Sequence, residues 1–284
     1  MTRALVALLC LPLLAACPSP PTGDGGAALE DAGPPPPPVQ LEIRVDYRFD
    51  TLGFFQDDAR RRVMEEAAAT WGRLLADDFE AVPAGTPLSV RDPEDPAQDA
   101  QTLALDEDID DVVVFVGAAV LDGYGGATAR SFPSATLDVD DADLAATLAE
   151  RYDGADFEPW TGWITFDVSE RWFTDETLAG DGDLPADHTD LYTNALHEMG
   201  HVLGVGTAPA FRALTDGGAF TGASATAVYG GPVPLAADDV HFTNDVVVDG
   251  ERVLMDLSDP LGERFVPTRL DLAVLEDLGY ELVE

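Results

Sequence analysis

The segment His197–His201 (sequence HEMGH) constrains the fold of this chain more than any other feature of its sequence. The surrounding residues, from about Thr189 to Leu203, carry apolar side chains at helical spacing, which predicts a helix. Helical residues four positions apart lie on one face about a turn apart, so both imidazoles can reach the same ion. The alternative is two incidental histidines on a buried helix face, where apolar neighbours such as Met199 offer no hydrogen-bond partners.

A zinc ion suits this pair of histidines, because zinc binds imidazole nitrogens at about 2.0–2.1 Å. Glu198 is rotated by about 100° from His197 around the helix axis, so its carboxylate can lie beside the metal without binding it. There it can accept a proton from water that the metal has acidified. We therefore predict one catalytic Zn²⁺ ion, with His197 and His201 as ligands and Glu198 as general base.

A catalytic zinc ion needs a third protein ligand as well as one open position. His241 is the predicted third ligand. The other remaining histidine, His188, precedes His197 by only nine residues and points away if the helix extends that far. No Glu occurs between positions 202 and 250, which counts against a site completed by a glutamate from a second helix. Three carboxylates remain as alternatives for the third ligand: Asp216, Asp238 and Asp239.

The stretch Asn194–Gly206 (NALHEMGHVLGVG) resembles the active-site helix of the metzincin metallopeptidases. The family pattern HExxHxxGxxH matches from His197 as far as Gly204, where a glycine suits the sharp turn that ends the helix. The third histidine of the pattern would fall at Thr207, and a hydroxyl is a poor zinc ligand. The third ligand must therefore come from elsewhere in the chain.

The leishmanolysin-like metzincins carry an insertion between the glycine and the third histidine. The stretch Val205–Val240, which precedes His241, is similar to that arrangement. Downstream, Val253–Asp256 (VLMD) resembles the Met-turn of these enzymes, which implies that Met255 lies beneath the metal. The closing stretch Leu270–Tyr280 resembles their C-terminal helix.

The resemblance implies a metzincin-like α+β fold over residues 39–284. The upper lobe (39–205) would hold a twisted mixed sheet and the active-site helix, and the lower lobe (206–284) would be smaller and irregular. The implied activity is a zinc-dependent endopeptidase that acts on protein or peptide substrates. The region Gly117–Phe132 would supply an edge strand for an extended peptide, with a plain surface loop as the alternative.

Two other functions remain open. The chain can be a non-catalytic zinc-binding surface lipoprotein, which serves as a binding or adhesion module. Glu198 counts against this, because a structural metal site has no use for that carboxylate. The chain can also be a metal-dependent hydrolase that acts on something other than peptides.

Hydrophobic periodicity predicts the remaining elements. The predicted strands are 41–49, a strand within 79–90 that ends at Val90, 112–116 and 163–168; the predicted helices are 57–77 and 268–278. Thr268 with Asp271 forms a capping-box-like start for the last helix, and Gly279 is its expected stop. Residues 91–110 are predicted to form an exposed loop, and residues 206–239 show no clear period.

The first 38 residues predict export. Arg3 precedes the apolar run Ala4–Ala16, which is too short to span a bilayer. The run leads into Cys17 as Leu-Ala-Ala-Cys, which resembles the lipobox of bacterial lipoproteins and implies acylation of Cys17. An ordinary signal peptide is the alternative. Residues 17–38 form a Pro/Gly-rich tether, so we expect a lipid anchor to be the chain's only attachment to a bacterial membrane or cell surface.

Composition limits the partners. The 54 Asp and Glu residues against 15 Arg and Lys give a net charge of −39, which repels nucleic acids. Cys17 is the only cysteine left after signal removal, so no disulfide can form within the chain. The acidic cluster from Asp138 to Asp143 does not follow the EF-hand pattern, so a Ca²⁺ site there has weak support and a solvated surface is preferred. We expect a monomer.

Overall fold

The structure is a computed structural model that describes residues 40–121, 129–133, 139–175, 180, 182–258 and 260–283. The predicted signal peptide, the lipidation site Cys17 and the tether lie outside the described residues, as does Asp138 of the acidic cluster. Within the described ranges, no helix combines the length and the apolar character that a bilayer crossing requires.

The described residues form short strands and six α-helices. In chain order, the strands are β1 (Ile43–Asp46), β2 (Pro87–Val90), β3 (Gln101–Ala104), β4 (Val112–Ala119), β5 (Ala129–Pro133), β6 (Thr161–Asp167), β7 (Trp172–Phe173), β8 (Thr189–Asp190), β9 (Thr215–Asp216), β10 (Ala219–Phe220), β11 (Val233–Pro234), β12 (Val247–Val248) and β13 (Glu251–Arg252). The helices are α1 (Asp58–Leu74), α2 (Ala142–Asp153), α3 (Leu191–Val202), α4 (Pro209–Ala213), α5 (Ala223–Tyr229) and α6 (Arg269–Asp277).

A four-stranded mixed sheet with the strand order β1-β4-β6-β5 forms the centre of the fold. Strands β1, β4 and β6 are parallel, and β5 runs antiparallel to β6 along one edge. Strand β4 is buried along its whole length, so it carries apolar residues on both faces. Val114 and Val116 face one apolar cluster, whereas Val113 and Phe115 face the other. This confirms the predicted buried strand at 112–116, which extends to Ala119.

Helices α1 and α3 cover one face of this sheet. Helix α1 begins after Asp57, whose side chain accepts a hydrogen bond from the backbone amide of Ala59. The buried stripe of α1 contains Val63 and Trp71, as its 3.6-residue period predicts. The indole nitrogen of Trp71 donates to the carbonyl oxygen of Leu196 at 3.0 Å, which ties α1 to α3 in the core.

The opposite face of the sheet is covered by the β2–β3 hairpin and by α2, through Leu88, Val90 and Leu148. The prediction of an exposed loop over 91–110 is wrong in part, because β3 lies within it and pairs antiparallel with β2. Its side chains are mostly exposed, so the stretch has little hydrophobic pattern.

The structure also corrects the predicted strand at 41–49 and the interval 206–239, for which no elements were predicted. The strand predicted for 41–49 ends at Asp46, where the carboxylate accepts a hydrogen bond from the backbone amide of Arg48 and turns the chain. The interval 206–239, which shows no period, contains two short helices and three two-residue strands. Elements this short span too few residues to produce a periodic signal.

The last helix has the predicted start and stop. The side chain of Thr268 caps the first turn of α6, and Asp271 accepts a hydrogen bond from the backbone amide of Thr268. Gly279 ends the turn with φ +107°, a conformation that side chains on L-residues rarely adopt. With its mixed sheet and six helices, the described part of the chain is compatible with the predicted α+β class.

Candidate metal centre

Three imidazole rings converge in the structure. His197 and His201 lie one turn apart on α3, and His241 comes from the segment between β11 and β12. The Nε2 atom of His201 lies 3.1 Å from Nε2 of His197 and 3.0 Å from Nε2 of His241. The two histidines of α3 therefore meet the distant histidine that the sequence favoured, and the group is close enough to hold a metal ion.

Each ring of the centre is oriented by a hydrogen bond from its Nδ1 atom to an oxygen. The acceptors are the carbonyl oxygen of Leu254 for His197 (2.9 Å), the carbonyl oxygen of Val205 for His201 (2.8 Å) and the carboxylate of Asp238 for His241 (2.7 Å). Carbonyl and carboxylate oxygens only accept hydrogen bonds, so each Nδ1 carries the hydrogen. In the neutral rings, the three Nε2 atoms then present lone pairs to one another.

This donor set fits a metal ion. Three lone pairs at such short separations repel one another unless a positive charge lies between them. Ligand nitrogens around a tetrahedral zinc ion are about 3.3 Å apart, since each Zn–N bond is about 2.0–2.1 Å. The separations of 3.1 Å and 3.0 Å between His201 and the other two rings are close to this value. Imidazole ligands suit zinc, and also copper, nickel and iron.

The protonation of the centre favours metal binding. Burial, together with the neighbouring rings of His197 and His241, lowers the pKa of His201 well below its usual value, so this ring is neutral. Burial also acts to raise the pKa of Asp238, but hydrogen bonds from the His241 ring and from two backbone amides lower it overall. The acceptor that faces His241 is therefore an ionised carboxylate.

The start of α3 is held by buried ion pairs. The carboxylate of Asp190 accepts hydrogen bonds from the backbone amide and hydroxyl of Thr193, which caps the helix. The guanidinium of Arg264 donates hydrogen bonds to both carboxylate oxygens of Asp190 at 2.8 Å, and it donates another to Asp175 at 2.8 Å. These contacts fix the direction of the helix that carries two of the three histidines.

Two glycines bring the chain back to the end of α3. Gly204 has φ +109°, and a Cβ atom there would lie 2.7 Å from the ring of Phe157. Gly206 has φ +73°, and a Cβ atom there would lie 2.4 Å from the carbonyl oxygen of Val240. Only a glycine at position 206 therefore permits the carbonyl group of Val240 to approach the backbone after α3 so closely. Val240 directly precedes His241.

Thr207 stands where the family pattern has its third histidine, and it does not join the metal centre. Its hydroxyl donates a hydrogen bond to the carbonyl oxygen of His201, and its side chain is buried. The same carbonyl oxygen accepts a hydrogen bond from the backbone amide of Gly204 at 3.1 Å, so Thr207 adds a second donor at the end of α3.

Met255 packs against α3 between the two ligand positions. A Cβ atom on Gly200 would lie 2.5 Å from the sulfur of Met255, so the sulfur occupies the space that this glycine leaves. The backbone amides of Leu254 and Met255 both donate to the buried carboxylate of Asp271, at 3.1 Å each. The capping box of α6 thus also holds the turn whose carbonyl group orients His197.

Glu198 is buried and lies next to the edge strand of the sheet. The hydroxyl of Ser131 on β5 donates to the backbone carbonyl of Glu198 at 2.8 Å. The edge strand expected within 117–132 is present at Ala129–Pro133, while residues 117–119 belong to β4 and 122–128 lie outside the described residues. The predicted base and the predicted substrate-binding edge are therefore neighbours.

Among the described residues, none of the other candidate ligands belongs to the group formed by the three rings. The imidazole of His188 pairs with Asp187 at 3.0 Å, and Asp216 lies on β9. Asp238 contacts Nδ1 of His241, which is the side of the ring that faces away from the other two histidines. Within the described ranges, no fourth His, Cys, Asp or Glu completes the group.

Sequence reasoning missed two supporting residues. Asp238 appeared only as an alternative ligand, although its position three residues before His241 suits a hydrogen bond within a turn. Arg264 carries no local signal, because its partners Asp190 and Asp175 are more than 70 residues away.

Comparisons with known proteins do not assign the chain to a family. No protein-family model matches it, and no curated protein is detectably similar in sequence. The chemistry of the centre and the motif in α3 are therefore the basis for the function proposed below.

Proposed function

We propose that this chain is a zinc-dependent endopeptidase of the leishmanolysin-like metzincin type. His197, His201 and His241 would hold the ion, and Glu198 would act as general base. The observation that supports the proposal most directly is the convergence of three Nε2 atoms whose rings each donate Nδ1–H to an oxygen. Three protein ligands are typical of catalytic zinc, whereas structural zinc has four.

Zinc bound there would supply a Lewis acid that acidifies water and polarises a carbonyl group. Glu198 follows His197 directly on α3, so its carboxylate is carried on the same turn as a ligand. It would take the proton of the attacking water and deliver it to the nitrogen of the leaving amine. This use of a buried carboxylate favours catalysis over a purely structural metal site.

An extended polypeptide is the substrate that the surroundings of Glu198 suit best. Among the described strands, β5 pairs with β6 on one side and is the last strand of the sheet. Ser131 connects this strand to the carbonyl group of Glu198. A peptide that adds to this edge as a further strand would pass beside the proposed base.

Digestion of an unfolded protein, combined with metal analysis, tests the proposal. Wild-type protein should contain about one zinc ion per chain, and a chelator should stop cleavage until zinc is restored. The substitution Glu198→Gln removes the base with little change in shape. It should retain zinc while turnover falls by about 10²–10⁴-fold.

The outcomes separate the proposal from the other functions. Unchanged turnover by the Glu198→Gln variant would remove this residue from the base role. Zinc binding without any cleavage by the wild-type protein would favour a non-catalytic zinc-binding module. Chelator-sensitive hydrolysis of a non-peptide ester, with no cleavage of peptides, would indicate a different hydrolase.

A further inference from the structure

We infer that Asp238 is a positioning residue, which fixes the orientation and the tautomer of His241 for metal binding. The inference rests on the metal centre of the proposed function. It assigns Asp238 a role other than that of a zinc ligand.

One carboxylate holds both the backbone and the ring of His241. Its Oδ2 atom accepts a hydrogen bond from Nδ1 of His241 at 2.7 Å. Its Oδ1 atom accepts from the backbone amides of Val240 at 3.0 Å and of His241 at 3.2 Å. The main chain and the imidazole of the third histidine are therefore set by the same side chain.

His241 needs this support more than the two histidines of α3 do. The side chain of His241 remains 21% exposed, whereas His197 and His201 are buried on a helix. Backbone carbonyl oxygens in the core orient the two helical rings. A ring on a loop can turn toward water, and Asp238 opposes this because its carboxylate holds the ring of His241 to two backbone amides of the same turn.

The geometry excludes direct coordination of the same ion by Asp238. The carboxylate contacts Nδ1, whereas the neighbouring rings face Nε2 of His241. The remaining alternative is that Asp238 only stabilises the turn at Val240 and His241. In that case the contact with the ring would contribute nothing to metal binding.

The substitution Asp238→Asn distinguishes these roles. The amide oxygen can still accept from the two backbone amides and keep the turn. Its NH₂ group then faces Nδ1 of His241, which must become an acceptor, so the ring hydrogen moves to Nε2. A ring protonated at Nε2 cannot bind a metal through that atom. A turn-only role instead predicts a nearly normal Asp238→Asn variant and a more severe defect in Asp238→Ala.

Zinc affinity of the whole chain, measured by competition with a chromophoric chelator, is the first test. We expect Asp238→Asn to bind zinc about 10- to 100-fold more weakly than wild type, which is the usual effect of losing an outer partner of a ligand. Asp239→Asn is the matched control, because Asp239 is the exposed neighbour of Asp238 in the chain and Asn tolerates the φ of +56° there. This control should retain wild-type affinity.

Histidine-selective ¹⁵N NMR of the metal-free protein is the second test. The chain has only four histidines, so each ring can be assigned by substitution. We expect wild-type His241 to carry its hydrogen on Nδ1, and Asp238→Asn to move it to Nε2 without changing His197 or His201. Melting of the metal-free variant checks that it is folded.

Two results would overturn the inference. One is an Nε2–H tautomer for His241 in the wild-type protein, and the other is a zinc affinity of Asp238→Asn that equals that of wild type, whatever the affinity of Asp238→Ala. None of these measurements requires peptide cleavage. A failure of the endopeptidase proposal with intact zinc binding is therefore separable from a failure of this inference.

Discussion

Helix α3 and the segment that returns to it differ in how they place the three converging histidines. Every residue of α3 is buried, and its period alone puts His197 and His201 on one face. The return segment, residues 236–256, carries His241 and Met255 and contains only two short strands. Two of the three converging histidines therefore follow from local structure, whereas the third depends on tertiary contacts.

Contacts on both sides of His241 hold the return segment. The backbone amide of Phe242 donates to the carbonyl oxygen of Met255 at 2.9 Å, and the amide of Ala236 donates to the carbonyl oxygen of His241 at 2.8 Å. Phe242 is fully buried and anchors the segment in the core. The third ligand can therefore be disturbed through these contacts while α3 remains folded.

Removal of the metal should produce the largest effect. Binding to the folded state alone stabilises a protein by about 4 kcal/mol when free metal is a thousand-fold above Kd, so chelation should lower the melting temperature strongly. Hydrogen exchange should rise mainly in residues 236–256, because α3 keeps its packing against α1. Equal loss of protection in both regions would contradict the distinction between them.

The substitutions His201→Ala and His241→Ala should each weaken zinc binding by at least about 100-fold. This exceeds the loss of affinity expected when a residue that only hydrogen-bonds a ligand is replaced. The two variants should differ in the stability of the metal-free protein. His201→Ala leaves the buried carbonyl group of Val205 without its donor and should cost about 1–3 kcal/mol, whereas His241→Ala should melt near wild type. Zinc titration and thermal melts measure both effects. Retained zinc binding in His241→Ala, with loss in Asp239→Ala, would show that the third ligand is misassigned.

Gly206→Ala should disturb the third ligand by way of the backbone. Gly206 and Gly230 both have positive φ, at +73° and +91°, so alanine at either position should cost about 1–2 kcal/mol. Only at Gly206 would the new Cβ atom meet another residue, the carbonyl group of Val240. We expect weaker zinc binding in Gly206→Ala and unchanged binding in Gly230→Ala. Equal affinities for the two variants would mean that this approach does not position His241.

Gly200→Ala should show the smallest effect. Alanine is favoured over glycine in a helix by up to about 1 kcal/mol, but its Cβ atom would clash with the sulfur of Met255, and overpacking costs about 1–3 kcal/mol. The net change should be a slight destabilisation. In a Met255→Ala background the same substitution should become stabilising. Urea unfolding of the four proteins gives the coupling between the two residues, and additivity would show that they do not touch.

The predictable parts of the fold are those with a long periodic signal. Helices α1, α3 and α6 and the buried strand β4 follow from spacing and caps. Strand β3 was missed because it is mostly exposed, and the elements between positions 206 and 239 were missed because each is too short to show a period. In the candidate metal centre, the pair His197 and His201 follows from helical spacing. The prediction of His241 depends on the small number of other histidines and on the metzincin resemblance.

The local sequence suffices to predict the helical pair His197 and His201, the position of Glu198 between them, and the glycine that ends the helix. Contacts between distant parts of the chain bring His241 to the group, with Asp238 behind it, and hold the start of α3 through Arg264. The two sets of residues differ in the range of their interactions. Helical periodicity relates neighbours along the chain, whereas the return of His241 depends on packing and hydrogen bonds between residues that folding alone brings together.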